Sequence, residues 1–243
     1  MKISIIIPVY NEETVIKHTV ETLKNYLDEN FDFYEIIVVN DGSTDKSGEI
    51  LKNIPYVTFV DFIKNRGKGR AVKKGVEMSG GDIVIFTDAD LCYGTEHIKT
   101  IAEILKTSDI AIGSRGKSRN GYTFLRRVYS HIFDDISALF LGKKIDAQCG
   151  IKGFSSTAAK NIFPLVKTNG FAFDFEVLYL AKKLGEKTKA FPVAMQKNGK
   201  STGRIFKEPF FMIFDIFKII CRDIFGLYKM PEKDEFANEK TNL

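Results

Sequence analysis

Two hydrophobic rhythms alternate along the first half of the chain. Ile3 to Val9 is an apolar run of the kind found in a strand buried on both faces. From Glu12 to Leu27 the apolar positions are Val15, Ile16, Val20, Leu23 and Leu27, close to helical spacing. The β-branched run Ile36 to Val39 predicts a second strand, ended by Asn40-Asp41-Gly42-Ser43. Ser43 or Thr44 is then expected to cap a helix running through Ile50 and Leu51. Further strands are predicted at Val57 to Phe62, Asp82 to Thr87 and Ile110 to Gly113, with helices at Ala71 to Met78 and His97 to Lys106. Such a strand–helix rhythm predicts an α/β fold with a mainly parallel sheet and helices on both faces. Sheets of that kind bind ligands at the carboxyl ends of their strands.

The polar clusters fall at those ends: Tyr10-Asn11-Glu12, Asp41, the pair Asp88 and Asp90, and Arg115. The second half reads differently. Tyr122 to Leu141 is amphipathic and basic at its start, Ile145 to Phe154 is expected to return to the sheet edge, and Asp174 to Leu184 is helical. Phe206 to Leu227 is apolar and aromatic but carries Glu208, Asp215, Lys218 and Arg222 on one helix face. A wide apolar arc with a charged stripe fits an interfacial helix lying in a membrane surface, and equally a helix packed on the core. Lys218 and Arg222 would stay at headgroup level in the first case. Residues 229–243 are polar and read as a flexible tail.

Composition narrows the class. With 243 residues, 44% hydrophobic and 28% charged, the chain can bury a core without a disulfide or structural metal. The net charge of +5 is too weak to argue for nucleic acid. Cys92, Cys149 and Cys221 are scattered and form no CxxC, which disfavours a disulfide framework and a zinc site. No stretch of 18 apolar residues exists, so no transmembrane helix is expected.

Three constellations carry chemistry. Asp88-Ala89-Asp90 follows a strand, and two carboxylates there can turn toward one hard cation such as Mg²⁺ or Mn²⁺. Lys64 to Lys74 holds six basic residues in a glycine-containing stretch, suited to a diphosphate through backbone N–H groups and cations. It is not a P-loop, and no GxGxxG follows the first strand, which disfavours a dehydrogenase. Arg115 to Arg127 has five basic residues and no acidic one; Arg126 and Ser130 share a helix face and with Arg115 could hold a second anion. Asp146, Asp174 and Glu176 are candidate acid–base carboxylates or helix caps. Cys149 has no partner base for thiol catalysis, and the three histidines show no metal-ligand spacing.

The motifs Pro8-Val9-Tyr10-Asn11-Glu12-Glu13, Asn40-Asp41-Gly42-Ser43 and Asp88-Ala89-Asp90, in this order, resemble glycosyltransferase family 2 over roughly residues 2–225. Gly113-Ser114-Arg115, the stretch Asp146 to Phe154 and the stretch Phe171 to Gly185 resemble the polyprenyl-phosphate sugar transferases, and the dolichyl-phosphate β-glucosyltransferase group more than the mannosyl one. The resemblance implies a GT-A fold over residues 1–203, with a Rossmann-like sheet, and C-terminal amphipathic helices, residues 204–228 being the candidate interfacial segment. It implies an inverting hexosyltransferase, moving glucose from UDP-glucose onto a dolichyl or undecaprenyl phosphate. GDP-mannose as donor and a saccharide hydroxyl as acceptor are the rival readings within the family; a nucleotide-sugar binding protein without turnover is the rival outside it. Pro8, Tyr10, Glu12, Asp41, Lys68, Asp88 and Arg204 would bind the nucleotide sugar, Asp41 near the base. Asp88 and Asp90 would hold Mg²⁺ or Mn²⁺, and Arg115, Arg126 and Ser130 the acceptor phosphate. Asp88, Asp90 and Asp146 are the catalytic candidates. The implied location is the cytoplasmic face of a membrane, peripherally attached. Two departures from the family pattern are Cys92, where mannosyl members often carry Gln, and Asn40 in place of the first Asp of Asp-Asp-Gly-Ser.

Overall fold

The computed structural model describes residues 1–115, 135–142, 145–195 and 208–229. Arg126, Ser130, Arg204 and the tail beyond 229 lie outside the described residues.

Seven strands form one sheet in the order β3-β2-β1-β4-β6-β5-β7. They are β1 (Ile3–Val9), β2 (Tyr34–Asn40), β3 (Thr58–Asp61), β4 (Ile83–Phe86), β5 (Ile110–Ser114), β6 (Lys152–Ser155) and β7 (Thr188–Pro192). β1 pairs in parallel with β2 and β4, and β5 in parallel with β7. β6 is antiparallel to both β4 and β5. The helices are α1 (Ile16–Asn30), α2 (Ser47–Lys52), α3 (Lys68–Met78), α4 (His97–Ile104), a segment at 135–141 (α5), α6 (Ser156–Ile162), α7 (Phe173–Leu184) and α8 (Glu208–Ile224).

The apolar runs are explained by burial on both sheet faces. In β1, Ile3, Ile5, Ile7 and Val9 join one core cluster, while Ile6 joins the other. In β2, Ile36 and Val38 face one way and Ile37 and Val39 the other. The period-2 geometry of a strand sorts them so. α1 and α4 cover the first face with Ile16, Val20, Leu23, Leu27, Ile98 and Ile101. α3, α6, α7 and α8 cover the second.

Three expectations need correction. Neither Ser43 nor Thr44 caps α2, which begins at Ser47. Ser43 instead links loops: its Oγ accepts from Asn11 N (2.9 Å) and donates to Asn40 Oδ1. Asp45 Oδ1 accepts from Ser47 N at the helix start (2.9 Å). The stretch expected at the sheet edge lies inside the sheet, because β6 inserts between β4 and β5. The edge belongs to β7, whose mostly exposed Thr188–Pro192 gave no apolar alternation to read. Arg222 does not project to a headgroup level; it turns inward to Thr168 Oγ1 (3.2 Å) and Glu176 Oε1 (3.5 Å).

α8 packs one face on the core and leaves apolar side chains exposed on the other. Met212, Ile216 and Ile219 are buried in the core, and Asp223 accepts from the Tyr179 hydroxyl (2.6 Å) and pairs with Lys183. Phe214, Phe217, Ile224, Phe225 and Leu227 remain exposed, with Lys218 over the Phe214 ring. No helix among the described residues is long and apolar enough to cross a membrane. Ile219→Ala should destabilise the protein by roughly 2–5 kcal/mol in urea unfolding, as buried large-to-small changes do. Phe214→Ser with Phe217→Ser should leave the midpoint nearly unchanged; an equal loss in both variants would show that the outer face is also structural.

Candidate active site

Strand order reverses at β1: β2 and β3 lie on one side and β4 on the other. The crevice outside the carboxyl ends of β1 and β4 is therefore the topological switch point of the sheet, the place where such folds bind ligands. Pro8 lies near the end of β1, Tyr10 and Glu12 follow it, and Asp88 and Asp90 follow β4. Backbone strain concentrates at the same spot. Among the described residues, Asn11 (φ 58°) and Leu91 (φ 46°) are the non-glycine residues with positive φ, one after each strand.

The Asp88–Asp90 turn converges its side chains. Leu91 N donates to Asp88 O (3.1 Å) and Cys92 N to Asp90 Oδ1 (3.1 Å). Ligand atoms of Asp88, Asp90 and Cys92 all lie within 4.8 Å of one another. Gly150 seals the back of the turn: a Cβ there would sit 1.8 Å from Asp88 Oδ2. Only glycine permits that approach, so the Cys149-Gly150 step is part of the site. Glu12 faces the pair, and burial, then the charges of Asp90, Asp45 and Asp88, push its pKa up to about 6. Such crowded negative charge calls for a cation. Two hard carboxylate donors on a rigid turn suit Mg²⁺ or Mn²⁺. Cys92 is a soft neighbour whose thiol is held protonated by burial and by Asp90 and Asp88.

Lys68 supplies one cation already. Its Nζ reaches Asp88 Oδ1 at 2.5 Å. Burial opposes its charge, but Asp88 and Asp174 outweigh this and raise its pKa. Lys68 is the first residue of α3, whose start is fixed by the loop before it. Gly67 (φ 97°) makes the turn, and both Asp41 oxygens clamp the loop, accepting from Arg66 N (2.7 Å) and Gly67 N (2.8 Å). Asp41 is thus engaged with the glycine-rich loop, and burial raises its pKa despite those two donors.

Beneath the crevice lies a buried ion pair. Lys152, fully buried on β6, pairs with Asp174 on α7 and donates to Cys149 O (2.6 Å). Its ammonium also stands 5.2 Å from the Phe86 ring centroid. Lys152 thus grips the strand entry that carries Gly150. Sequence alone offers Asp174 as a candidate but not its partner; the available signal is the lysine between Ile151 and Gly153.

Arg115 lies at the end of β5. Its Nε and Nη2 bind both Asp146 oxygens (2.7 and 2.6 Å), and its backbone N adds a third bond (3.0 Å). Burial would raise the Asp146 pKa, but the Arg115 guanidinium and N–H prevail and hold it below the usual value. Asp146 is thereby an anion that orients Arg115.

A seven-stranded α/β sheet with carboxylates and a basic loop at its switch point is the architecture of the GT-A glycosyltransferases. Glucosyl-3-phosphoglycerate synthase from Mycobacterium tuberculosis, solved with Mn²⁺, UDP and phosphoglyceric acid, superposes with a TM-score of 0.70 at 19% identity, over 96% of this chain and 80% of that one. Residues 4–163 match glycosyl transferase family 2, and the chain belongs to that family. Among its relatives, the dolichyl-phosphate beta-glucosyltransferase of Drosophila melanogaster is 33% identical over 208 residues, covering 76% of this chain and 64% of the fly protein. The protein of that name in Dictyostelium discoideum is 29% identical over 250 residues, covering 94% of this chain and 76% of its own length.

Three outcomes follow from this geometry. Gly150→Ala should displace Asp88 and weaken Mn²⁺ binding, read by electron paramagnetic resonance; unchanged affinity would mean Asp88 is no ligand. Lys152→Met should cost roughly 3–5 kcal/mol by stranding Asp174, while Lys152→Met with Asp174→Leu should recover much of that in urea unfolding. Asp146 has a depressed folded pKa, so its stabilisation is complete above about pH 4 and lost as pH falls through the folded value. Asp146→Asn should accordingly lower stability at neutral pH and flatten the acid limb of the stability–pH curve.

Proposed function

We propose that the protein transfers glucose from UDP-glucose to a polyprenyl phosphate with inversion. The observation that carries this reading is the pairing of two separate charged stations at one sheet edge: Asp88 and Asp90 with Lys68, and Arg115 on Asp146. The first suits a nucleoside diphosphate and the second a phosphate acceptor. The names of the relatives support the glucosyl donor and the dolichyl-type acceptor.

Asp88 and Asp90 would hold Mg²⁺ or Mn²⁺, which on binding offsets negative charge on the departing diphosphate. Lys68 and the first N–H groups of α3 stabilise the same charge from the protein side. Pro8, Tyr10 and Glu12 line the nucleotide side of the crevice, with Asp41 keeping the loop in place. A phosphate monoester has its second pKa near ~6, so the acceptor is already largely dianionic at neutral pH. It needs orientation more than deprotonation. Asp146, ionised and bound at both oxygens, serves by aiming Arg115 at that dianion. Arg126 and Ser130 are proposed to complete the acceptor site, and Arg204 to close on the donor.

The exposed face of α8 would bring the site to a membrane surface, where such a lipid resides. Burying several of Phe214, Phe217, Ile224, Phe225 and Leu227 at ~1.5–3 kcal/mol each suffices for reversible attachment. Phe214→Asp with Phe217→Asp should abolish sedimentation with anionic liposomes while circular dichroism stays native; full sedimentation of that variant would place attachment elsewhere.

The direct test of the reaction is a donor panel with a short polyprenyl phosphate, read by mass. UDP-glucose should give a glucosyl phospholipid. Chelator should stop turnover, and Asp90→Ala should reduce it at least ~100-fold, the scale of losing one main charge-stabilising group. Product from GDP-mannose alone, or full activity in excess EDTA, would overturn the donor or the metal assignment respectively.

A further inference from the structure

Glu176 lies in the first turn of α7, outside the crevice, and has no part in the chemistry above. It is wholly buried. A buried carboxylate is tolerated only where its oxygens are paired, and four donors converge on this one. Oε2 accepts from the backbone N–H groups of Lys167 (3.0 Å) and Thr168 (2.7 Å). Oε1 accepts from the Tyr228 hydroxyl (2.5 Å) and faces Arg222 Nη1 (3.5 Å). Arg222 also donates to Thr168 Oγ1 (3.2 Å), and Lys167 Nζ donates to Leu227 O (2.6 Å). The partners therefore come from two places: the loop before α7 and the last turns of α8 with the residues just after it.

The other side of that loop presses on the glycine-rich turn. Asn169 O accepts from Arg70 N (3.3 Å), and a Cβ on Gly67 would lie 2.4 Å from the same oxygen. A Cβ on Gly69 would lie 2.7 Å from Thr168 O. Lys73 donates to Val166 O (2.9 Å) and Pro164 O (3.1 Å). At Gly67 and Gly69 backbone lies close against backbone, and close-packed contacts of this kind transmit displacement.

We propose that Glu176 is a positioning residue: it clamps residues 167–169 against the Gly67–Arg70 turn, and so sets where Lys68 stands over Asp88. The end of α8 forms the second jaw of the clamp. The helix whose outer face is exposed and apolar is thereby joined by two layers of hydrogen bonds to the loop beside Asp88. The clamp stands on geometry alone; its consequence for a donor diphosphate rests on the reading of function above.

Amide hydrogen exchange tests the clamp without any ligand. Tyr228→Phe removes one hydrogen bond at the far jaw, and Glu176→Gln keeps the shape while turning one acceptor into a donor that faces donors. In both variants the Arg70 and Ala71 amides should exchange faster, by roughly two- to thirtyfold, the range of energetic coupling between packed sites. Amides of β1 should be unchanged. Faster exchange confined to residues 165–170 and α8 would overturn the proposal and leave Glu176 a core-sealing residue. Should Glu176→Gln accelerate β1 as well, through unfolding, the milder Tyr228→Phe decides the matter by the same criterion. Calorimetric affinity for UDP with Mn²⁺ should fall in parallel with the faster exchange. Absence of UDP binding in the wild-type protein, with the coupled exchange still present in the variants, would refute the functional reading and uphold the clamp.

Discussion

Glu12, Asp88 and Asp90 crowd one crevice at the end of the sheet, and the surrounding structure is arranged to tolerate that crowding. Like charges at close range repel, and partial burial makes the repulsion worse. The Lys68 ammonium on Asp88 offsets it from one side. Lys68 can do so because Asp41 clamps the loop before it and Gly67 makes the turn. Gly150 closes the back of Asp88, held through the Cys149 carbonyl that Lys152 grips. Each support is itself supported, which is how a site is kept within the tolerance that chemistry requires.

The second half of the chain supplies this scaffold by doubling back through the sheet. An all-parallel continuation would have carried the chain outward from β4. Instead β5 forms one strand further out, and β6 returns antiparallel into the gap. That return brings Asp146, Gly150 and Lys152 to the edge already occupied by Asp88 and Arg115. The positively charged Arg115 and Lys152 each take a carboxylate partner, Asp146 and Asp174, so burial near the crevice leaves neither charge uncompensated.

The first half was legible because each strand buries both faces and each ends in a polar cluster. The apolar run of β1 coincides with the strand, and those of β2 to β5 lie within about two residues of theirs, the usual uncertainty of such boundaries. The family resemblance implies that Lys68 of the glycine-rich loop and the Asp88–Asp90 turn serve one diphosphate, and Lys68 and Asp88 do meet. What stayed hidden depends on contacts between distant segments. β6 is four residues long with two glycine or serine positions, so neither its place nor its direction shows in its own sequence. Lys152 and Asp174 are 22 positions apart, and a buried pair looks in sequence like two solvated charges. α8 left two readings open because a helix with apolar residues on most of its surface can pack on the core and still expose an apolar face, as Ile216 and Phe217 do on adjacent positions.

Under the proposed function, the Asp88–Asp90 crevice would receive a nucleoside diphosphate together with a divalent cation. Calorimetric titration of UDP with and without Mn²⁺ addresses it most directly, because two ligands sharing one site must strengthen each other reciprocally. UDP should bind at least about tenfold more tightly with Mn²⁺ present, a coupling of ~1.4 kcal/mol, and Mn²⁺ should gain the same factor from UDP. Equal UDP affinity with and without the metal would show that the two do not share the Asp88–Asp90 site.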